Sequence, residues 1–92
     1  MKPLAEFAAI LNPEDNVATA LKEIECGEYI QAEWKLAVRE KIPAGFKVSL
    51  ADLKKGDSVI KYGYPIGIAT VLIAPGDIVH THNITSTVKT RS

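Results

Sequence analysis

One short pattern occurs four times in the chain: a branched apolar residue, two linking residues, glycine, two more residues and a second branched apolar residue. The four occurrences are IECGEYI (24–30), IPAGFKV (42–48), LKKGDSV (53–59) and IAPGDIV (73–79). Glycine accepts the positive φ of a tight turn, and the prolines in two of the occurrences preset φ at a turn corner. Each occurrence therefore predicts a strand, a tight turn and a second strand. Together they predict a mostly β fold of short, bent strands, with spacings too irregular for a solenoid.

The segments between these turns fit the same fold. FAAIL (7–11) predicts a short apolar strand. In EWKLAVRE (33–40), apolar residues that include Trp34 and Leu36 alternate with polar ones, which is the period of a half-buried strand. The β-branched and aromatic stretch 58–73 contains two glycines and predicts a bent strand, a turn or bulge, and another strand.

The segment NPEDNVATALKEI (12–24) has two interpretations. Asn12 as a cap, followed by proline and two acids, is typical of a helix start, and the apolar residues that follow have helical spacing. The alternative is a single turn at 13–15 and then a strand over 17–24, which would lead directly into the first glycine turn. Local signals favour the helix, and we expect at most one short helix or turn near 13–22.

Size and composition restrict the class of protein. Ninety-two residues predict one domain, 1–92, with an ordered core at about 7–84 and a polar tail that frays. Eleven basic and eleven acidic residues cancel, and without a basic stripe we expect no nucleic-acid partner. Cys26 is the single cysteine, so no internal disulfide can form and a cytoplasmic location is expected. No apolar stretch has membrane-spanning length, and the N-terminus lacks a signal-peptide layout.

The two histidines of the chain lie in GDIVHTHN (76–83). If this stretch is a strand, His80 and His82 point to the same face, because residues i and i+2 share a face. Two imidazoles there could form half of a divalent-metal site, since neutral imidazole suits Fe, Zn or Ni. They could equally act as general acid or base, or be structural histidines. The residues alone do not decide between these roles.

Other polar residues also have two interpretations each. Lys61, among apolar and aromatic neighbours, either binds a substrate carboxylate and stabilises an enolate-like intermediate, or extends its stem over the core. Lys47 and Arg39 are either ordinary strand charges or contacts for an anionic substrate. Asn83 either caps the strand end or donates a hydrogen bond to substrate.

Three stretches carry a resemblance to a known family: DNVATALKEIECGEYI, IPAGFKVSLADLKKGDSVIKYGYPIGIAT and IAPGDIVHTHN. In this order and spacing, over about residues 7–84, they resemble the SAF domain of altronate and galactarate dehydratases. The resemblance implies a β-clip, a small barrel-like arrangement of bent strands. It also implies a hydro-lyase component that works by β-elimination on a sugar acid. The chain departs from the family pattern at Phe46, where histidine is frequent, so the resemblance does not fix the substrate.

The resemblance further implies a larger catalytic partner, with this chain as its small subunit or N-terminal domain, inactive alone. It favours His80 and His82 as the catalytic and metal-binding pair, with iron(II) as the expected ion and the remaining ligands on the partner. Lys61 would be catalytic, and Asn83, Lys47 and Arg39 would bind substrate. The alternatives are the small subunit of a sulfolactate sulfo-lyase, a non-catalytic carbohydrate-binding module, or a homo-oligomeric structural domain.

Overall fold

Short strands joined by tight turns form the fold of residues 1–32 and 35–86, the part of the chain that this computed structural model describes. One turn of 3₁₀ helix, Leu4–Glu6, precedes the second strand. The strands are β1 (Lys2–Pro3), β2 (Ala8–Ala9), β3 (Val17–Ala20), β4 (Tyr29–Gln31), β5 (Lys35–Ala37), β6 (Lys47–Ser49), β7 (Ser58–Lys61), β8 (Tyr64–Ala69), β9 (Ile78–Val79) and β10 (Ile84–Ser86). The mostly β fold is confirmed.

The strands form small open sheets. The largest has the order β2-β3-β6-β9 and is antiparallel throughout. A second sheet has the order β1-β4-β5, and a third has the order β10-β8-β7. Within the described residues none of these sheets closes on itself, so the barrel-like arrangement is not a closed barrel. No helix in that part of the chain is long and apolar enough to span a membrane.

The hydrogen bonds show that the chain contains one structural unit twice. The first copy (residues 17–49) runs from β3 to β6, and the second copy (residues 47–79) runs from β6 to β9. Each copy holds a hairpin closed by an isolated antiparallel bridge, Ile24 with Ile42 in the first and Leu53 with Ile73 in the second. Both bridges have two N–H···O=C bonds of 2.8 Å.

The glycine turns match in the same way. The first turn of each copy has a glycine N–H bonded across the hairpin, from Gly27 to the Val38 carbonyl and from Gly56 to the Ala69 carbonyl. The second turn of each copy is hydrogen-bonded to the end of the strand that begins the copy. Gly45 N–H donates to the Ala20 carbonyl at the end of β3, and Gly76 N–H donates to the Ser49 carbonyl at the end of β6, each at 2.8 Å. The four sequence patterns are therefore two alternating kinds of turn.

Two apolar clusters hold the copies together. The first cluster lies under the β4–β5 hairpin and includes Ile24, Ile30, Leu36 and Ile42, all fully buried. The second lies under the β7–β8 hairpin and consists of Val17, Leu53, Val59, Ala69, Ile73 and Val79. Burial of each large aliphatic side chain contributes about 1.5–3 kcal/mol. Each hairpin thus covers one cluster, and each cluster takes residues from both copies, such as Ile78 in the first and Val17 in the second.

The helix favoured at 12–24 is wrong, and the alternative of a turn followed by a strand is confirmed, although the strand ends at Ala20 and not at residue 24. Asn12 closes one turn, because its side-chain oxygen accepts from Glu14 N–H at 2.9 Å and its carbonyl accepts from Asp15 N–H at 2.9 Å. Asn16 then binds the backbone of β7 through its side chain, at Ser58 and Ile60. Pairing of β3 with both β2 and β6 keeps the following residues extended. Tertiary hydrogen bonds override the local helix signal here.

The other predicted segments are found at shorter lengths. The strand predicted at 7–11 is β2, and the bent segment 58–73 contains β7, a turn and β8, with a register shift after Val59. Of the strand predicted at 33–40, residues 35–37 form β5, in which Leu36 is buried, and residues 38–40 lie outside a strand. Trp34 lies outside the described residues, as does most of the polar tail.

Candidate functional site

The two histidines lie in a tight turn that directly follows β9. His80 N–H donates to the Asn83 side-chain oxygen at 2.9 Å, and the His80 carbonyl accepts from Asn83 N–H at 3.0 Å. The Asn83 amide also donates to the Ile78 carbonyl at 2.8 Å, and the Asn83 residue is buried. Asn83 therefore closes the turn, which is the capping role predicted for it. Its contact with substrate stays a prediction.

The expected same-face pair of strand histidines is wrong. β9 ends at Val79, so His80 and His82 lie in the turn and not in a strand. The physical reason is the asparagine: its short amide side chain offers the backbone a local partner that competes with strand pairing. The alternation of side chains between the two faces of β9 therefore ends at Val79, one residue before His80.

His80 lies against an aromatic ring. The centroids of the His80 and Phe46 rings are 4.5 Å apart with the planes tilted by 44°. Such ring pairs contribute about 0.5–1.5 kcal/mol. Phe46 is half-buried in the Gly45 turn, immediately before Lys47. The contact places the imidazole of His80 beside the start of β6, although sequence reasoning identified Phe46 only as a departure from the family pattern.

His82 has different neighbours. It lines a shallow cleft of about 520 Å³ together with Val71, Leu72, Arg39 and Asp77, and His80 is not among the lining residues. The Arg39 guanidinium holds the Asp77 carboxylate through three contacts of 2.7 to 3.1 Å. This hydrogen bonding and the negative charge of Asp77 raise the pKa of Arg39. Arg39 thus already has an anionic partner within the chain, and its predicted contact with substrate stays a prediction.

The described residues do not by themselves form a metal site. No group of three or more His, Cys, Asp or Glu side chains in residues 1–32 and 35–86 lies close enough together to hold a metal ion. His80 and His82, with different surroundings in one exposed turn, are at most a partial ligand set. The described residues therefore do not fit a complete divalent-metal site.

Lys47 and Lys61 form the most distinctive electrostatic feature. Lys47 lies in β6 and is half-buried; burial lowers its pKa, and the positive charge of Lys61 lowers it further. Lys61, at the end of β7, lies 5.3 Å from the centroid of the Tyr62 ring. In the described part of the chain neither lysine has an acidic partner in an ion pair. Lys47 and Lys61 thus supply two positive charges without a described acidic partner, and such groups suit an anion such as a carboxylate.

Thr19 adds a polar group beside Lys47 that the sequence did not indicate. It is paired directly opposite Lys47 across β3 and β6, so the two side chains lie on the same face of the sheet. Its hydroxyl oxygen is buried and has no hydrogen-bond partner within residues 1–32 and 35–86. A threonine in a strand is usually there for its shape, so only the pairing register could have identified it. Lys47, Lys61 and Thr19, with His80 on Phe46, are the candidate site.

Comparison with known proteins shows which proteins the chain is similar to. Residues 6–87 match the family described as altronate/galactarate dehydratase SAF domain. Altronate dehydratase of Bacillus subtilis is 39% identical over 74 residues, and the altronate dehydratase of Escherichia coli is 43% identical over 70 residues. These matches cover 79% and 75% of this chain but only 15% and 14% of the two enzymes.

A third relative is much shorter. Subunit alpha of the (2R)-sulfolactate sulfo-lyase of Paracoccus pantotrophus is 44% identical over 52 residues. The match covers 56% of this chain and 78% of that subunit. The same kind of domain therefore occurs both as a small part of a long enzyme and as most of a separate subunit.

Proposed function

Because the chain belongs to the altronate/galactarate dehydratase SAF domain family, we propose that it is the SAF component of a sugar-acid hydro-lyase. In this proposal a larger catalytic subunit or domain supplies most of the reacting groups, and this chain alone is inactive. The reaction is β-elimination: a base removes the proton α to the carboxylate, and water leaves from the β carbon. The proposal follows from family membership and from the chemistry of the candidate site.

The observation that carries the proposal is the pair of lysines without an acidic partner. Removal of the α proton puts additional negative charge on the carboxylate as the enediolate develops. Cations placed at that carboxylate stabilise this charge more than they stabilise the ground state, which lowers the barrier. Lys47 and Lys61 are proposed to bind the carboxylate, and the Thr19 hydroxyl is proposed to donate a further hydrogen bond to it. His80, oriented by Phe46, is proposed to hold or transfer a proton near the same position.

The divalent metal, with iron(II) as the expected ion, stays a prediction. His80 and His82 could contribute to such a site only together with ligands from the larger component. When bound, such a metal would act as a Lewis acid on the substrate's oxygens. The role proposed for the lysine pair does not depend on it.

The test is a chimera in which this chain replaces the matching segment of the Bacillus subtilis altronate dehydratase. We expect the chimera to dehydrate altronate, and the isolated chain to show no activity. Lys47→Gln and Lys61→Gln are each expected to lower kcat/KM about tenfold or more, because each removes a charge-assisted hydrogen bond to the carboxylate. The exposed Lys55→Gln is the matched control and should leave kcat/KM unchanged.

Two results would contradict the proposal. Unchanged kcat/KM in the Lys47→Gln and Lys61→Gln chimeras would exclude the lysine pair from substrate binding. Full activity of the dehydratase after deletion of its matching segment would exclude a catalytic contribution from a SAF component.

The extent of the Paracoccus match favours a second candidate, the small subunit of a sulfolactate sulfo-lyase. Sulfolactate also carries a carboxylate next to the carbon that loses its proton, so the lysine pair would act in the same way, with sulfite leaving instead of water. Assays of the chain with the other subunit of that enzyme, on sulfolactate and on altronate, separate the two candidates. Elimination of sulfite alone would replace the first proposal by the second.

A further inference from the structure

A second cleft has none of the residues of the histidine turn in its walls. It has a volume of about 270 Å³, and its walls include Ile10, Asp15, Ala32, Leu50 and Ala51. Pockets for drug-sized ligands start at about 300 Å³, so this cleft suits one side chain better than a whole sugar acid. Its walls are mostly apolar, and Asp15 supplies a carboxylate.

Asp15 is the unusual group in this cleft. The residue is only 9% exposed, and one carboxylate oxygen, Oδ1, accepts from Gly63 N–H at 2.8 Å. The other oxygen, Oδ2, is buried and has no hydrogen-bond partner among the described residues. A buried acceptor without a partner costs free energy that a donor from outside the chain would recover. None of the described lysines or arginines forms an ion pair with Asp15.

We propose that this cleft is a socket for the guanidinium or ammonium group of an arginine or lysine side chain of the larger catalytic component. The cation would pair with Asp15, and its methylene stem would lie along the apolar walls, as such stems do elsewhere. Ile10, 48% exposed at the rim, would be covered by the same partner. Arginine is among the residues enriched in interface hot spots, which lie in well-packed pockets from which water is excluded. The identity of the partner rests on the proposed function, whereas the cation-binding chemistry does not.

The test uses methylguanidinium as the probe and the whole 92-residue chain, observed by two-dimensional ¹H–¹⁵N NMR. We expect saturable shifts of the Gly63 and Ala51 amide signals, with a Kd in the millimolar range, about 1–10 mM. Methylurea has a similar shape without the charge and should cause no saturable shift. Asp15→Asn should weaken binding about tenfold or more, because it removes the charge and keeps an acceptor for Gly63.

Asp52→Asn is the matched control for general electrostatics, since Asp52 is exposed and follows Ala51 in the chain. Its Kd for methylguanidinium should stay that of the original chain. Ala51→Leu is a second variant that retains the charge and fills the cleft, and it should also abolish binding. This variant keeps the test decisive if Asp15→Asn does not fold. The backbone bonds of Ala51 to Ser49 are independent of the Ala51 side chain.

An absence of saturable shifts, or binding that survives in both Asp15→Asn and Ala51→Leu, would overturn the socket. Equal losses in Asp52→Asn and Asp15→Asn would also overturn it. The peptide acetyl-Gly-Gly-Arg-Gly-Gly-amide tests the occupant and should bind at least as tightly as methylguanidinium. If methylguanidinium binds and the peptide does not, the proposal that a protein side chain occupies the cleft is wrong. None of these results involves Lys47 or Lys61, so failure here leaves the lyase proposal intact.

Discussion

The Gly45 turn and the Gly76 turn occupy the same place in the two copies of the unit, but their surroundings differ. Their φ values are similar, +88° and +96°. A Cβ atom built on Gly45 would meet nothing within 4 Å, whereas one on Gly76 would lie 2.5 Å from the carbonyl oxygen of Ala37. The conformation of both turns requires glycine for the backbone angle. At Gly76 there is a second reason for glycine, because the β5 backbone leaves no space for a Cβ atom.

The residues that follow the two glycines also differ. Phe46, after Gly45, packs on His80 beyond the end of the second copy. Asp77, after Gly76, accepts from Ala74 N–H in its own turn and binds Arg39 of the first copy. The Gly76 turn thus contacts the other copy through an ion pair, whereas the Gly45 turn contacts the histidine turn that follows the second copy. The two turns share the same backbone hydrogen bonds, and their different contacts come from the residue after glycine, Phe46 in one and Asp77 in the other.

The largest expected effect comes from Gly76→Ala. Both Gly45→Ala and Gly76→Ala place a Cβ at positive φ, which costs about 1–2 kcal/mol. Gly76→Ala also forces the β5 backbone to move, which adds about 1–3 kcal/mol for overpacking. Urea unfolding of the two variants measures the difference. Equal losses of unfolding free energy would show that the contact with Ala37 relaxes freely, and the two turns would then be equivalent.

Asn83→Ala is expected to have the next largest effect, at the point where the repeat ends. The first copy continues from β6 into the second, but the second copy ends in the turn that Asn83 closes. Removal of its amide leaves His80 N–H and the Ile78 carbonyl without their partners, at a cost of about 1–3 kcal/mol. Asn12→Ala is the control, because Asn12 makes a single side-chain bond in an exposed turn. Similar melting temperatures for the two variants would contradict the prediction.

The variants Asp77→Ala and Asp57→Ala test two turn aspartates of the second copy against each other. Both carboxylates accept a backbone N–H three residues earlier, Asp57 at 2.8 Å and Asp77 at 2.9 Å. Loss of either bond costs about 0.5–1.5 kcal/mol. Only Asp77 also binds Arg39, so Asp77→Ala should lower the melting temperature further. The difference should narrow in about 1 M NaCl, because salt screens an exposed ion pair. If salt does not change the difference between the two melting temperatures, the difference comes from packing and not from the ion pair.

The glycine turns and the mostly β fold could be predicted from the sequence because each depends on local chemistry. Glycine and proline fix the turns, and alternation in 33–40 correctly predicted that Leu36 is buried. The pairing of turns into two copies could not be predicted, since it depends on bonds such as Gly76 to Ser49, 27 residues apart in the chain. The strand at Val17–Ala20 was obscured for the same reason: its pairing partners lie far from it in sequence.

The candidate site was predictable by residue type and not by arrangement. Lys47, Lys61 and His80 were expected to be functional, and their placement relies on the sheet register and on the Phe46 contact. The strand geometry predicted for the histidines failed because Asn83 was treated as a flanking residue, whereas its two side-chain bonds form the turn. Thr19 gave no signal, since its importance depends on being opposite Lys47.

Lys47 itself provides the smallest and most specific test of the comparison. It takes the place in the first copy that Ile78 takes in the second: Lys47 pairs with Thr19 of β3, and Ile78 pairs with Val48 of β6. Ile78 is buried, so the framework tolerates an aliphatic side chain here. Lys47 occupies this half-buried position although burial and the charge of Lys61 lower its pKa. In the proposed function, Lys47 serves substrate binding at a cost in stability.

Lys47→Ile is therefore expected to leave the chain at least as stable at pH 7 while it abolishes activity in the chimera. The lowered pKa means that the folded state binds this proton less tightly than the unfolded state, in which lysine titrates at about 10.4. Below the folded pKa the charged lysine destabilises the fold. As pH rises through the folded pKa toward 10.4 this penalty disappears, so the advantage of Lys47→Ile should shrink. The urea midpoints of the original chain and of Lys47→Ile, measured against pH, give this stability difference. A difference that grows with pH would contradict a lowered pKa of Lys47.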